Sequence, residues 1–75
     1  PTRVDMYPNP AVRTLNLIST RNESTFTITN MMGQIVSSGE VVNGKVDLSK
    51  ISSGMYMIQL LDNGGKSLTK KFVKR

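Results

Sequence analysis

Turn signals recur every few residues along this chain and leave only short runs between them. Pro8 with Pro10, Asn30 to Gly33, Asn43-Gly44, Ser52 to Gly54 and Asn63-Gly64-Gly65 each interrupt a stretch in which apolar and polar side chains alternate. A period of two sends successive side chains to opposite faces of a strand, whereas a helix needs a period near 3.6 and a longer run. Punctuation at this spacing predicts about seven short strands, the pattern of a sandwich or barrel. Composition agrees: the χ1-stiff residues Val, Ile and Thr supply 19 of 75 residues, and Ala, the best helix former, occurs once, at Ala11.

The first run, Arg3 to Tyr7, stops at Pro8 and Pro10. Each proline lacks an N–H, and Pro10 pushes Asn9 toward an extended conformation, so the pair ends the strand stiffly. In "RTLNLI", Leu15 and Leu17 face inward and Thr14 and Asn16 outward. In "STFTITN", Phe26 and Ile28 share one face and Thr25, Thr27 and Thr29 the other. "NMMG" predicts a tight turn in which Gly33 takes the positive φ that follows a type I turn, with "QIVSSG" as the returning strand. Asn43-Gly44 in "VVNGKVDL" is the strongest short-range hairpin signal, and beyond it Val46 and Leu48 point to the core. A strand from about Met55 to Leu61 and a last strand to the chain end complete the set. Tyr56, Ile58 and Leu60 fill one face of the penultimate strand, and Met55, Met57 and Leu61 the other. A strand apolar on both faces is either central and covered, the reading preferred here, or keeps one face for a partner.

Length allows one domain, residues 1–75, with a small core and no Cys to staple it. The chain opens at Pro1 without Met, which points to a piece of a longer protein. It has no apolar run long enough to span a membrane and no N-terminal segment that reads as a signal peptide.

The absence of His and Cys removes the commonest general base, the usual transition-metal ligands and the thiolate nucleophile. The five carboxylates, Asp5, Glu23, Glu40, Asp47 and Asp62, are scattered and mostly adjoin turns, so a paired-carboxylate site is not expected. No motif frames a Ser-Lys dyad or an EF-hand loop. "NGGK" lacks the length and the following Ser or Thr of a phosphate-binding loop. No catalytic residue, cofactor or metal site is expected.

Charge is uneven. Residues 1–65 hold five basic and five acidic side chains, while "KSLTKKFVKR" holds Lys66, Lys70, Lys71, Lys74 and Arg75 without an acid, so the whole net +5 sits at the C-terminus. A nucleic-acid binder would need exposed aromatics beside such a stripe, yet the chain has only Tyr7, Phe26, Tyr56 and Phe72, most of them core residues by pattern. A membrane contact could draw on about 1 kcal/mol per base, but a strand offers no amphipathic helix to insert. Lysines on a terminal edge strand also deter edge-to-edge aggregation, and this plain role and a specific one stand level on the residues alone.

Four stretches fall into one order: "YPNPA", "ITNMMGQIV", "DLSKISSGMYMIQL" and "KKFVKR". That order resembles the C-terminal sorting domain of proteins exported by the type IX (Por) secretion system of Bacteroidetes, Ig-like type A, over essentially the whole chain. The resemblance implies an all-β, Ig-like antiparallel β-sandwich of about seven short strands. It implies a C-terminal secretion signal on a larger cargo protein that passes through the periplasm. The signal is read by the outer-membrane type IX machinery, and the cargo reaches the cell surface or is secreted. In many members a sortase-like peptidase cleaves ahead of the domain as cargo is joined to an anionic lipopolysaccharide. By the same resemblance the domain catalyses nothing, and neither nucleic acid nor direct membrane insertion is expected. Pro8, Asn9 and Pro10 match the family's first motif, Gly33 its central turn, Gly54 and Tyr56 its Gly-x-Tyr motif. Lys71, Phe72, Val73, Lys74 and Arg75 match its terminal segment, which with Lys70 gives the candidate recognition residues. Gly33 and Gly54 also have a backbone reason to be there, and Tyr56 and Phe72 a packing one. The alternative is a non-catalytic adhesive or carbohydrate-binding β-sandwich module of a surface protein, and a basic nucleic-acid-binding domain is a second rival.

Overall fold

The computed structural model describes residues 4–7, 13–19 and 23–75. Seven strands follow one another: β1 (Val4–Tyr7), β2 (Thr14–Ser19), β3 (Glu23–Asn30), β4 (Ile35–Glu40), β5 (Lys45–Asp47), β6 (Gly54–Asp62) and β7 (Ser67–Lys74). Their number and approximate bounds are those the alternation predicts. Pro8, Asn9 and Pro10 lie outside the described residues, as do Arg3, Ala11 and residues 20–22, so the reading of the proline pair as a strand terminator lies outside them too.

The strands form a three-stranded sheet, β1-β2-β5, and a four-stranded sheet, β4-β3-β6-β7, with every named pair antiparallel. This division and order fit an immunoglobulin-like sandwich. Leu15 and Val46 from one sheet meet Phe26, Ile28, Tyr56, Ile58, Leu60 and Phe72 from the other in a single buried cluster, closed by Leu48 and Ile51 from the β5–β6 connection. Each such side chain contributes about 1.5–3 kcal/mol on leaving water, which is how a chain this small holds two sheets together.

The Asn43-Gly44 signal works locally but does not pair the strands on either side of it. Asn43 (φ +53°) and Gly44 (φ +70°) take the two positive φ values of a type I′ turn, and Val42 and Lys45 exchange both backbone hydrogen bonds across it at 3.1 and 2.9 Å. The hairpin stops at that one bridge, because β4 belongs to one sheet and β5 to the other. Its tip is fixed instead by the Leu17 N–H, which donates to the Gly44 carbonyl at 2.8 Å. The turn therefore carries the chain between sheets, a choice made by which face of Val46 and Leu48 must be buried.

Two other hairpins share one device. Between β3 and β4, Asn30 Oδ1 accepts from the N–H groups of Met32 and Gln34, both at 3.0 Å, and Gly33 takes φ +86°. Between β6 and β7, Asp62 Oδ1 accepts from Gly64 and Lys66 at 2.9 and 2.8 Å, and Gly65 takes φ +85°. Each is a three-residue loop in which a left-handed glycine after a type I turn returns the chain, as expected at Gly33.

The candidate docking surface

Beginning with the motif residues, Gly54 opens β6 at φ +155°, which L side chains rarely adopt, and its α-carbon faces the Tyr56 ring, 3.7 Å from where a Cβ would stand. Tyr56 is buried, and its hydroxyl donates to the Ser52 carbonyl at 2.7 Å and lies 3.3 Å from the Ser52 hydroxyl. A tyrosine near the start of the sixth strand that bonds back to upstream backbone is the corner device of immunoglobulin-like sandwiches. The Gly-x-Tyr motif is thus a way of sealing the β5–β6 connection over the core. Asp47 helps from the other end of that connection. Its carboxylate accepts from the Ser49 N–H at 2.9 Å, and Ser49, with a smaller contribution from Lys50, holds its pKa below the usual 3.8.

The terminal segment divides by face. Phe72 is 1% exposed and stacks on Tyr56 with ring centroids 5.8 Å apart. Its neighbours at two-residue spacing, Lys70 and Lys74, share its inward face: they pair with Ile58 and Gly54 and are half-buried. The Lys74 ammonium donates to the Arg75 carbonyl at 3.4 Å. Lys71 and Val73 point the other way, opposite Met57 and Met55, and Lys71 is exposed. The basic residues therefore wrap the edge of β7 and do not form a stripe on one face. Inward-facing lysines with apolar stems along the sheet are one way an edge strand avoids pairing with another chain.

The outer face of β6 departs from the preferred expectation. Met55 is 46% and Leu61 40% exposed, so this face is open, as the second of the two readings has it. One transverse row on it runs Ile35, Thr29, Met57, Lys71 across β4, β3, β6 and β7. At that end of the sheet Asn30 pairs with Tyr56 and Gly54 with Lys74, so the β3–β4 turn, the start of β6 and the end of β7 lie together. Exposed Met31, Met32, Ile35, Val36 and Met55 concentrate there. Val36 is the extra residue of a bulge opposite Ile28 and Thr29, which twists the β4 edge. Glu40 and Asp62 stand at the opposite end, paired with Thr25 and Glu23. No sequence reading singled out Met31, Met32 or Ile35, because their juxtaposition with Met55 depends on register between β3 and β6.

Three of the four aromatic residues are in the core, which leaves Tyr7 on β1 to stack on a base or a sugar. Among the described residues no group of three His, Cys, Asp or Glu is placed to hold a metal ion, and no helix is long and apolar enough to cross a membrane.

A four-and-three-stranded sandwich whose last strand is at once a core element and a basic edge defines a small all-β module. Residues 5–75 match the family described as the secretion system C-terminal sorting domain, and the chain belongs to that family. Among its relatives is beta-agarase D of Zobellia galactanivorans, 27% identical over 71 residues that cover 95% of this chain and 15% of the agarase. Among solved structures it is similar to PorZ of Porphyromonas gingivalis, described as an essential surface component of the type IX secretion system. There the TM-score is 0.69 at 21% identity, over 96% of this chain and 11% of that one, a likeness of fold. The sorting-signal function expected from the sequence is the reading the family match supports over the adhesive or carbohydrate-binding one.

Proposed function

We propose that residues 1–75 act as a single sorting domain that directs a larger cargo protein through the outer-membrane type IX machinery to the cell surface or beyond. The observation that carries this reading is the family match over residues 5–75, which spans all four sequence stretches that first pointed to it. Passage through the periplasm and removal by a sortase-like peptidase belong to the same proposal, as does a role of substrate and signal with no catalysis of its own. Within the terminal segment, Lys71 and Arg75 are exposed and Lys70, Val73 and Lys74 half-buried, so these side chains are the ones offered to a receptor. Phe72 contributes by fixing the strand that presents them. The test is to fuse residues 1–75 behind a periplasmic reporter in a bacterium that has the type IX machinery. Reporter on the cell surface or in the medium supports the proposal, and reporter retained in the periplasm refutes it.

A further inference from the structure

We infer that the methionine-rich, basic end of the β4-β3-β6-β7 sheet is a docking surface for an acidic protein segment that carries aliphatic or aromatic anchors. The inference deepens the sorting reading by naming the surface and the chemistry of its partner. Four of the five methionines, Met31, Met32, Met55 and Met57, stand at this one end, with Ile35 beside them. The row from Ile35 to Lys71 spans three inter-strand spacings, roughly 14 Å, wide enough for one extended segment to lie across. Methionine is flexible and polarisable, so an open cluster of it moulds to inserted apolar side chains.

Charge decides among occupants. Lys71 sits directly opposite Met57, Lys74 ends the neighbouring strand with Arg75 just beyond it, and the sheet's own acids, Glu23, Glu40 and Asp62, are at the far end. A second copy of this chain would bring another net +5 and the same basic end, which repels. A flat anionic membrane resting on the methionines would meet Lys71 but not Lys70 and Lys74, which lie on the other face of β7. A polypeptide segment can follow the edge and reach cations on both sides, and acidic side chains between its anchors complement them.

The experiment labels the methionine methyl groups with 13C in the full chain and titrates a synthetic twelve-residue peptide in which Asp and Glu alternate with Leu and Phe. Met6, half-buried on β1 in the other sheet, is the internal control. The expected result is saturable shifts at Met31, Met32, Met55 and Met57 with none at Met6. Raising salt should weaken them, Met55→Ser should reduce affinity about tenfold as for a central anchor, and a peptide with Lys in place of the acids should give none. Shifts spread evenly over all five methyls, no shift at millimolar peptide, or an equal response to the Lys peptide would overturn the inference. So would broadening with protein concentration alone, which indicates self-association, or shifts obtained with anionic phosphatidylglycerol vesicles and not with peptide. The same Met55→Ser change in the reporter fusion separates this inference from the export reading. A wild-type reporter that stays in the periplasm refutes export whatever the titration shows. An exported wild type whose variant, equally stable to urea, is exported as well counts against the surface.

Discussion

Deleting "KKFVKR" is the obvious way to test a terminal signal, and the packing of Phe72 makes it the wrong one. The deletion removes a side chain that is 1% exposed together with the β7 half of five register pairs, Lys70 to Lys74, so loss of export could report unfolding alone. Separate substitutions resolve the two effects. Phe72→Ala empties a site between the sheets and removes the stack on Tyr56, at a cost of about 3–5 kcal/mol. A domain of 75 residues has roughly 4–11 kcal/mol of stability, so the variant loses from about a quarter to all of it. With a urea slope near 1 kcal/mol/M for so small a protein, the midpoint should fall by roughly 3–5 M or the variant should begin unfolded. Lys71→Ala, at an exposed site, should move stability by no more than about 0.5 kcal/mol. The assay is equilibrium urea unfolding followed by far-UV circular dichroism, run on both variants before either is used for export. A midpoint shift under about 1 M for Phe72→Ala would refute the assignment of Phe72 to the core, and a shift above about 1 M for Lys71→Ala would refute the surface assignment of Lys71.

Three further outcomes follow from the same contacts. Tyr56→Phe removes the hydrogen bond to the Ser52 carbonyl and should cost about 1 kcal/mol by urea unfolding, with faster amide exchange in residues 49–53; unchanged stability and exchange would mean that the hydroxyl does not seal the connection. Gly54→Ala should destabilise through its backbone, since a Cβ meets the Tyr56 ring only at ordinary contact distance but must adopt φ +155°, so thermal unfolding should come several degrees earlier at about 1–2 kcal/mol. Asp47 has a lowered folded pKa, so its contribution is present above the unfolded value near 3.8 and is lost as pH falls through the folded one. Stability measured from pH 6 to pH 2 should therefore drop less in Asp47→Ala than in the parent, and parallel curves would show that the Ser49 hydrogen bonds do not hold the charged form.

Much of the fold was legible because strands and tight turns are local. Period-two alternation placed Leu15, Leu17, Val46 and Leu48 inward and grouped Phe26 with Ile28, and Tyr56 with Ile58 and Leu60, on single faces; Leu17 is half-buried and all the others are buried. The position of Gly33 after "NMM" fixed its turn, for only a residue tolerant of positive φ can close a loop of that length. The same alternation, carried into the last strand, already sets Lys70 and Lys74 on the face of Phe72 and Lys71 on the other. Grouping the basic residues by proximity in sequence hid that signal.

What the sequence determined by itself, then, was the set of strands, their inward residues and the family, since each is written in spacings of a few residues or in motifs read in order. Only the tertiary structure decided that Asn43-Gly44 passes the chain between sheets and that the second apolar face of β6 stays open. The gathering of Met31, Met55 and Lys71 at one end was settled there too. These depend on which strands become neighbours and in what register, and a register is chosen by burial of whole faces at once, information that no single segment carries.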